Sequence, residues 1–172
     1  NTGMLPLHWA AARRAPLPTV GALLRAHRPA ASVSDKLGML PLHHAVANGA
    51  PVEVISALLS AHGDGAALAD RDGRLPLHYA AARKASADVV AALLGAHPDA
   101  ANVADGAGML PGSLASASNA GSAPLRGDAA SEAFALLQAA QDGGAKVDGG
   151  GTIADATEVR FDDALGCYYN SR

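Results

Sequence analysis

Aromatic side chains are scarce in this chain: Phe, Trp and Tyr together make up 3% of its 172 residues. A single globular core of that length normally draws on them, because each buries more area than an aliphatic residue. Their scarcity argues against such a core. Cysteine occurs once, at Cys167, so no internal disulfide forms, and this fits a reducing compartment. No run approaches the ~20 apolar residues of a membrane-spanning helix, and no basic-then-apolar leader opens the chain. An excess of basic charge is missing as well, since the formal net charge is −3. That weighs against nucleic acid as a partner, whose binders carry a strong positive field. The first residue is Asn1 rather than Met, which reads as an excerpt of a longer protein. The expectation from these absences is an intracellular, cytoplasmic monomer with no membrane segment.

What is present is Ala-rich apolar content, 49% hydrophobic against 17% charged, which suits closely packed helices. Its arrangement is periodic. Leu5-Pro6-Leu7-His8 returns as Leu40-Pro41-Leu42-His43 and as Leu75-Pro76-Leu77-His78, each step 35 residues long. A fourth copy starts at Leu110-Pro111 and then degrades, with Gly112 and Ser113 in the Leu and His slots. The same step relates Gly3, Gly38, Gly73 and Gly108. It also relates Leu23-Leu24, Leu58-Leu59 and Leu93-Leu94. His27, His62 and His97 keep it, and so do Asp35, Asp70 and Asp105. Chance does not hold so many positions in one register, so the chain is an internal repeat.

Each unit reads as two helices. The Pro of the motif sits in a first turn, where its missing N–H costs nothing. His43 to Asn48 continues that short helix, and Gly49-Ala50-Pro51 breaks it. The second helix runs from about Val52 to Ala61. Val54, Ile55, Leu58, Leu59 and His62 form one stripe at helical period. His62 to Arg74 reads as a loop. Two short helices bury too little surface alone, and stacking with neighbours supplies the core.

The pattern Asp-x-x-Gly-x-Leu-Pro-Leu-His-x-Ala, then Gly, then Val-x-x-Leu-Leu resembles the ankyrin repeat, strongly over residues 1 to 110 and weakly to about 140. Leu5, Leu40 and Leu75 stand where that family has Thr, and the period exceeds the family's usual 33 residues. The resemblance implies an all-α, ankyrin-type helical repeat solenoid. Three repeats span 1–37, 38–72 and 73–107, within 1–109, and a degenerate fourth, capping unit with an insertion spans 108–141. In it, Leu114 to Asn119 reads as a first helix, Gly121 to Ala130 as an added loop, and Ser131 to Gln141 as a second helix with Ser131 as N-cap. A Gly-rich linker follows over 142–152. The tail, 153–172, has the pattern of a β-hairpin, Glu158 to Phe161 and Cys167 to Asn170 about a turn. It is faintly similar to the first hairpin of a WW domain, whose first signature Trp it lacks.

Seven histidines invite a metal hypothesis. Six of them belong to the repeat, however, and equivalent residues in stacked units lie ~8–10 Å apart. That is too far to share one Zn²⁺ with bonds of ~2.0–2.1 Å. The resemblance implies instead that His8, His43 and His78 bond to loop backbone and tie neighbouring units. His27, His62 and His97, at helix C-termini, are placed to cap carbonyls. Asp35, Asp70 and Asp105 read as turn formers that bond their own backbone. No Gly-x-Ser-x-Gly elbow and no phosphate loop occurs, and Cys167 has no flanking His. No catalytic residue and no cofactor is expected.

The family's contact face, built from loop tips and first helices, maps onto Met4, Ala12 and Arg13 in the first unit. In the second it maps onto Lys36, Leu37, Met39, Ala47 and Asn48, and in the third onto Arg71, Asp72, Arg74, Ala82 and Arg83. Met and Arg are enriched where proteins meet. Trp9, His44 and Tyr79 share the next slot, and the resemblance places them between helices. Arg14 and Lys84 occupy the place of Gly49, where a left-handed backbone costs a side chain up to ~1 kcal/mol. The function expected is a protein-interaction module or scaffold that binds its partner through the concave face. The alternative is a regulatory or targeting part of a larger enzyme whose catalytic region lies elsewhere.

Overall fold

The computed structural model describes residues 2–118, 129–141, 159–162 and 167–170. Among them eight helices follow in sequence: α1 Pro6–Ala12, α2 Leu17–Ala26, α3 Pro41–Ala47, α4 Val52–Ala61, α5 Pro76–Ala82, α6 Ala87–Ala96, α7 Pro111–Ser118 and α8 Ala129–Gln141. The odd-numbered helices stack in one row, α1 on α3 on α5 on α7, and the even-numbered ones in a second row, α2 on α4 on α6 on α8. Each odd helix also packs on the even helix that follows it.

Local chemistry sets each boundary. Leu5, Leu40 and Leu75 are extended at the N-cap, and Pro opens the first turn. The first helices end in a left-handed residue: Arg14 at φ 55°, Gly49 at φ 68° and Lys84 at φ 53°. The strained conformation expected at Arg14 and Lys84 is thus present. Pro16, Pro51 and Ser86 then lead into the second helices in extended backbone. Those helices stop at His27, His62 and His97, whose φ angles of −155°, −150° and −146° leave the helical region.

One core runs through the stack. Leu7, Leu42 and Leu77 face it from the first helices, and Val20, Ile55, Leu58, Val90 and Leu93 from the second. A fully buried Leu or Ile contributes about 1.5–3 kcal/mol, so these layers supply the bulk of the stabilisation. Leu40 and Leu75 are 2% exposed. Where the family carries a hydroxyl, this chain adds aliphatic area to the core.

Several boundaries differ from those read in the sequence. The stretch His62 to Arg74 is not all irregular, because a 3₁₀ turn forms at Gly63–Ala66, with counterparts at Arg28–Ser32 and Pro98–Asn102. Pro29 and Pro98 sit in the first positions of two of these turns, where their fixed φ is already suitable. In the fourth unit α7 begins at Pro111, as in the other units, rather than at Leu114. Helix α8 begins at Ala129, so Ser131 lies inside it and is not the N-cap. Ala129 and Ala130 have the highest helix propensity of any residue and extend the helix past the Ser. The linker expected over 142–152 lies outside the described residues. In the tail, strands β1 Val159–Asp162 and β2 Cys167–Asn170 pair antiparallel, with Val159 opposite Asn170 and Asp162 opposite Cys167.

Candidate protein-binding face

The side chains that organise this face are those of the repeated motif. His43 is the third residue of α3, and its Nδ1 accepts from the Leu40 N–H at 3.1 Å. Its Nε2 donates to the Arg74 carbonyl of the next unit, 3.2 Å away. The pair is matched by His8, bonded to Leu5 N and Met39 O, and by His78, bonded to Leu75 N and Met109 O. A backbone N–H only donates and a carbonyl only accepts. Each ring is therefore neutral, bare at Nδ1 and protonated at Nε2. The Nδ1 acceptor plays the part of the Glu in a capping box, which explains how these helices start without a hydroxyl before the Pro. Burial, the largest influence, holds all three imidazoles below their usual 6.5.

The loops before each motif are tight hairpins. Asp35 N donates to Met39 O, Asp70 N to Arg74 O and Asp105 N to Met109 O, at 2.9–3.0 Å. One carboxylate oxygen of each Asp closes the turn from inside: Asp35 Oδ1 accepts from Leu37 N and Met39 N at 2.8 and 3.0 Å. Asp70 and Asp105 repeat this on their own loops, so the turn-forming role read from the sequence is present. The second oxygen varies. On Asp35 it meets His44 Nε2 at 2.9 Å, and on Asp70 it accepts from Tyr79 OH at 2.5 Å. Asp105 has apolar Leu114 in the corresponding slot and is met instead by Arg74 Nε of the preceding loop, 3.3 Å away. Burial alone would raise the Asp35 carboxyl, but the bonds from His44, Met39 and Leu37 outweigh it and hold it below the ordinary carboxylate value. Asp105 is lowered chiefly by the Met109 N–H. Burial and the Asp70 carboxylate push the Tyr79 phenol up to about 12.

Neighbouring loop tips are joined directly. Lys36 N donates to Thr2 O, Arg71 N to Leu37 O and Gly106 N to Asp72 O, at 3.1, 3.0 and 2.8 Å. This ladder sets Lys36, Leu37, Arg71 and Asp72 side by side with their side chains exposed. Met39 and Arg74 stand just behind them and are half-buried. Met4 holds the corresponding place in the first unit. Gly73 is needed here, with φ 74° and the position of a Cβ only 2.7 Å from Gly106 N.

The remaining face residues belong to the first helices and do not join the tips. Arg13, Asn48 and Arg83 are C-cap residues, a seven-residue helix away from the motif, or ~10 Å. Ala12, Ala47 and Ala82 precede them, with Ala82 exposed and the other two half-buried. The face thus has a row of loop tips, a floor of small residues and a second row at the helix ends.

Two sequence expectations need correction. His44 and Tyr79 are half-buried between elements as expected, but Trp9 is 47% exposed. Trp9 has no acidic partner among the described residues. It stands on the open side of the first unit, beside Pro6, Arg13, Thr19 and Leu23 in a shallow groove of ≈ 500 Å³, with the Arg13 guanidinium 5.5 Å from its ring centre. The second histidine set ends helices through its backbone rather than its rings. His27, His62 and His97 N–H groups bond Leu23, Leu58 and Leu93 carbonyls, and His62 Nε2 is buried with no hydrogen-bond partner. The second oxygen's partners, His44, Tyr79 and Arg74, carry no signal in the sequence beyond their spacing. Among the described residues no group of His, Cys, Asp or Glu is gathered for a metal ion, and no helix is long and apolar enough to cross a membrane.

Helix pairs stacked at a fixed step, with turned loops projecting from one side, define a helical repeat solenoid of the kind that presents an extended binding surface. A family model of three ankyrin repeats matches residues 1–103, more than half of the chain, and the protein belongs to the ankyrin repeat family. Ankyrin repeats are in general protein–protein interaction modules and typically non-catalytic. Comparison with curated proteins gives no match.

Proposed function

We propose that this protein is an interaction module or scaffold that holds another protein against its loop tips and first helices. The contact residues are Met4, Arg13, Lys36, Leu37, Met39, Ala47, Asn48, Arg71, Asp72, Arg74, Ala82 and Arg83. The observation that carries the reading is the ladder of tip hydrogen bonds. It spends the backbone polar groups of consecutive loops on one another and leaves Lys36, Leu37, Arg71 and Asp72 directed at solvent. A preformed surface of this kind loses little entropy on binding. The working units are the three repeats at 1–37, 38–72 and 73–107, with 108–141 as a cap, 142–152 as a linker and 153–172 as a tail. The module acts as a monomer without a cofactor, inside the cell.

Affinity capture from a cell extract tests the face. The double variant Ala47→Trp/Ala82→Trp adds bulk to the floor without changing charge, and Glu53→Arg alters the opposite, second-helix side. Partners recovered with the wild-type chain are expected to be lost with the first variant and kept with the second, both variants melting within a few degrees of wild type. Equal recovery with all three proteins would place the contact elsewhere.

A further inference from the structure

Exposed acids in the repeat array are concentrated on one side, although the chain as a whole is mildly acidic. Lys36, Arg71 and Arg74 stand along the loop tips, and Arg83 closes the first helix of the third unit. The acids nearest to them mostly do not reach the surface: Asp35, Asp70 and Asp105 are buried and bonded to loop backbone and to His44, Tyr79 and Arg74. Asp72 is the exposed exception. The other acids of the repeats, Glu53, Asp64, Asp88 and Asp99, lie on the second helices or their 3₁₀ turns. Exposed cations therefore line the rim over the small-residue floor, while the back carries most of the exposed acids together with Arg25 and Arg28.

Resting on the reading of this face as a protein-binding surface, we infer that its ligand is an acidic peptide segment in which Asp or Glu alternates with apolar side chains. Three observations favour that chemistry. Lys36 and Arg71 are held on adjacent rungs of the tip ladder, with Arg71 N bonded to Leu37 O at 3.0 Å, so one extended strand reaches both. Arg74 is pre-organised: its Nε is tied to Asp105, while 40% of the side chain remains exposed. A guanidinium fixed in this way meets a carboxylate with little loss of rotamer freedom. Apolar groups are interleaved with the cations, since Leu37 is 60% and Met109 36% exposed. A polyphosphate backbone has no use for those, and the tips offer no aromatic ring on which a base would stack.

The experiment is fluorescence anisotropy with the full chain and a labelled peptide of repeated Glu-Leu. Binding is expected at low ionic strength and weakens with added salt. Lys36→Glu/Arg71→Glu is expected to weaken it by roughly tenfold or more, and Leu37→Ser more mildly. Arg25→Glu, on α2, makes the same kind of change on the other side and leaves binding intact. The neutral pair Lys36→Gln/Arg71→Gln repeats the test should the reversed pair fold poorly. No binding by the wild-type chain, an equal loss with Arg25→Glu, or tighter binding of single-stranded DNA of matching charge would each overturn the inference. The reading of the face stands on its own result: if the tryptophan variants shed their captured partners while the acidic peptide never binds, the face binds proteins of another character.

Discussion

Neighbouring units meet along two seams, and the two are built on opposite principles. Between the second helices the contact is aliphatic: Val54, Ile55 and Leu58 against the layer of Val89, Val90 and Leu93. Between the loops and first helices it is polar, made of three imidazole bridges, three turned carboxylates and the tip ladder. The aliphatic seam is non-directional and supplies most of the free energy. Each bond of the polar seam is worth only about 1 kcal/mol net, yet leaving one of its buried groups unpaired costs more than that. The polar seam therefore decides where each unit sits, and the aliphatic one decides whether it stays.

Acid is the strongest way to separate the seams. The folded imidazoles of His8, His43 and His78 have pKa values below the unfolded 6.5. Above 6.5 both states are neutral and nothing is lost. As pH falls below 6.5 the unfolded chain takes up protons that the folded chain refuses, so stability drops. With all three rings still neutral the slope approaches ~4 kcal/mol per pH unit, about 1.4 for each. Urea melts between about pH 7 and pH 5 would measure it, and a flat profile would mean the rings are not held neutral. The aliphatic seam is probed by Leu58→Ala, expected to cost roughly 3 kcal/mol by the same amount at either pH. Gly73→Ala strikes the polar seam without touching a titrating group. A methyl at φ 74° pressed toward Gly106 N is expected to cost about 2 kcal/mol, read as a lowered urea midpoint. The smallest effect has the opposite sign: Lys84→Gly relieves a left-handed residue at φ 53° and should raise stability by up to ~1 kcal/mol. A fall in melting temperature there would show that the Lys84 side chain makes a contact worth more than the strain.

Much of this was readable in the residues, and the limits follow from what a one-dimensional pattern holds. The step of the repeat, the helix pairs, the turning role of Asp35 and the strained backbone at Lys84 are local or periodic properties, and the chain spells them out. The second oxygen of each Asp is different. His44, Tyr79 and Arg74 reach it from two different units, and only folded geometry shows that Leu114 leaves Asp105 to Arg74. Trp9 shares a slot with His44 and Tyr79 yet differs in exposure, because slot equivalence says nothing about what lies across from a residue. At α8, Ser131 resembled a cap while the alanines before it were equally able to be helical. The proposed contact face is a set of positions read from the sequence, whereas its division into tips, floor and helix ends needed the fold.

The direction of the tip bonds has a consequence for how such a chain changes length. The Lys36, Arg71 and Gly106 N–H groups point back to the loop before, and every motif imidazole points forward to the loop after. Residues separated by a full step are interchangeable in both roles. A whole unit can therefore be excised or duplicated with each donor finding an equivalent acceptor, whereas losing a single residue from a loop disturbs the bonds that cross it. The array grows by modules and not by residues.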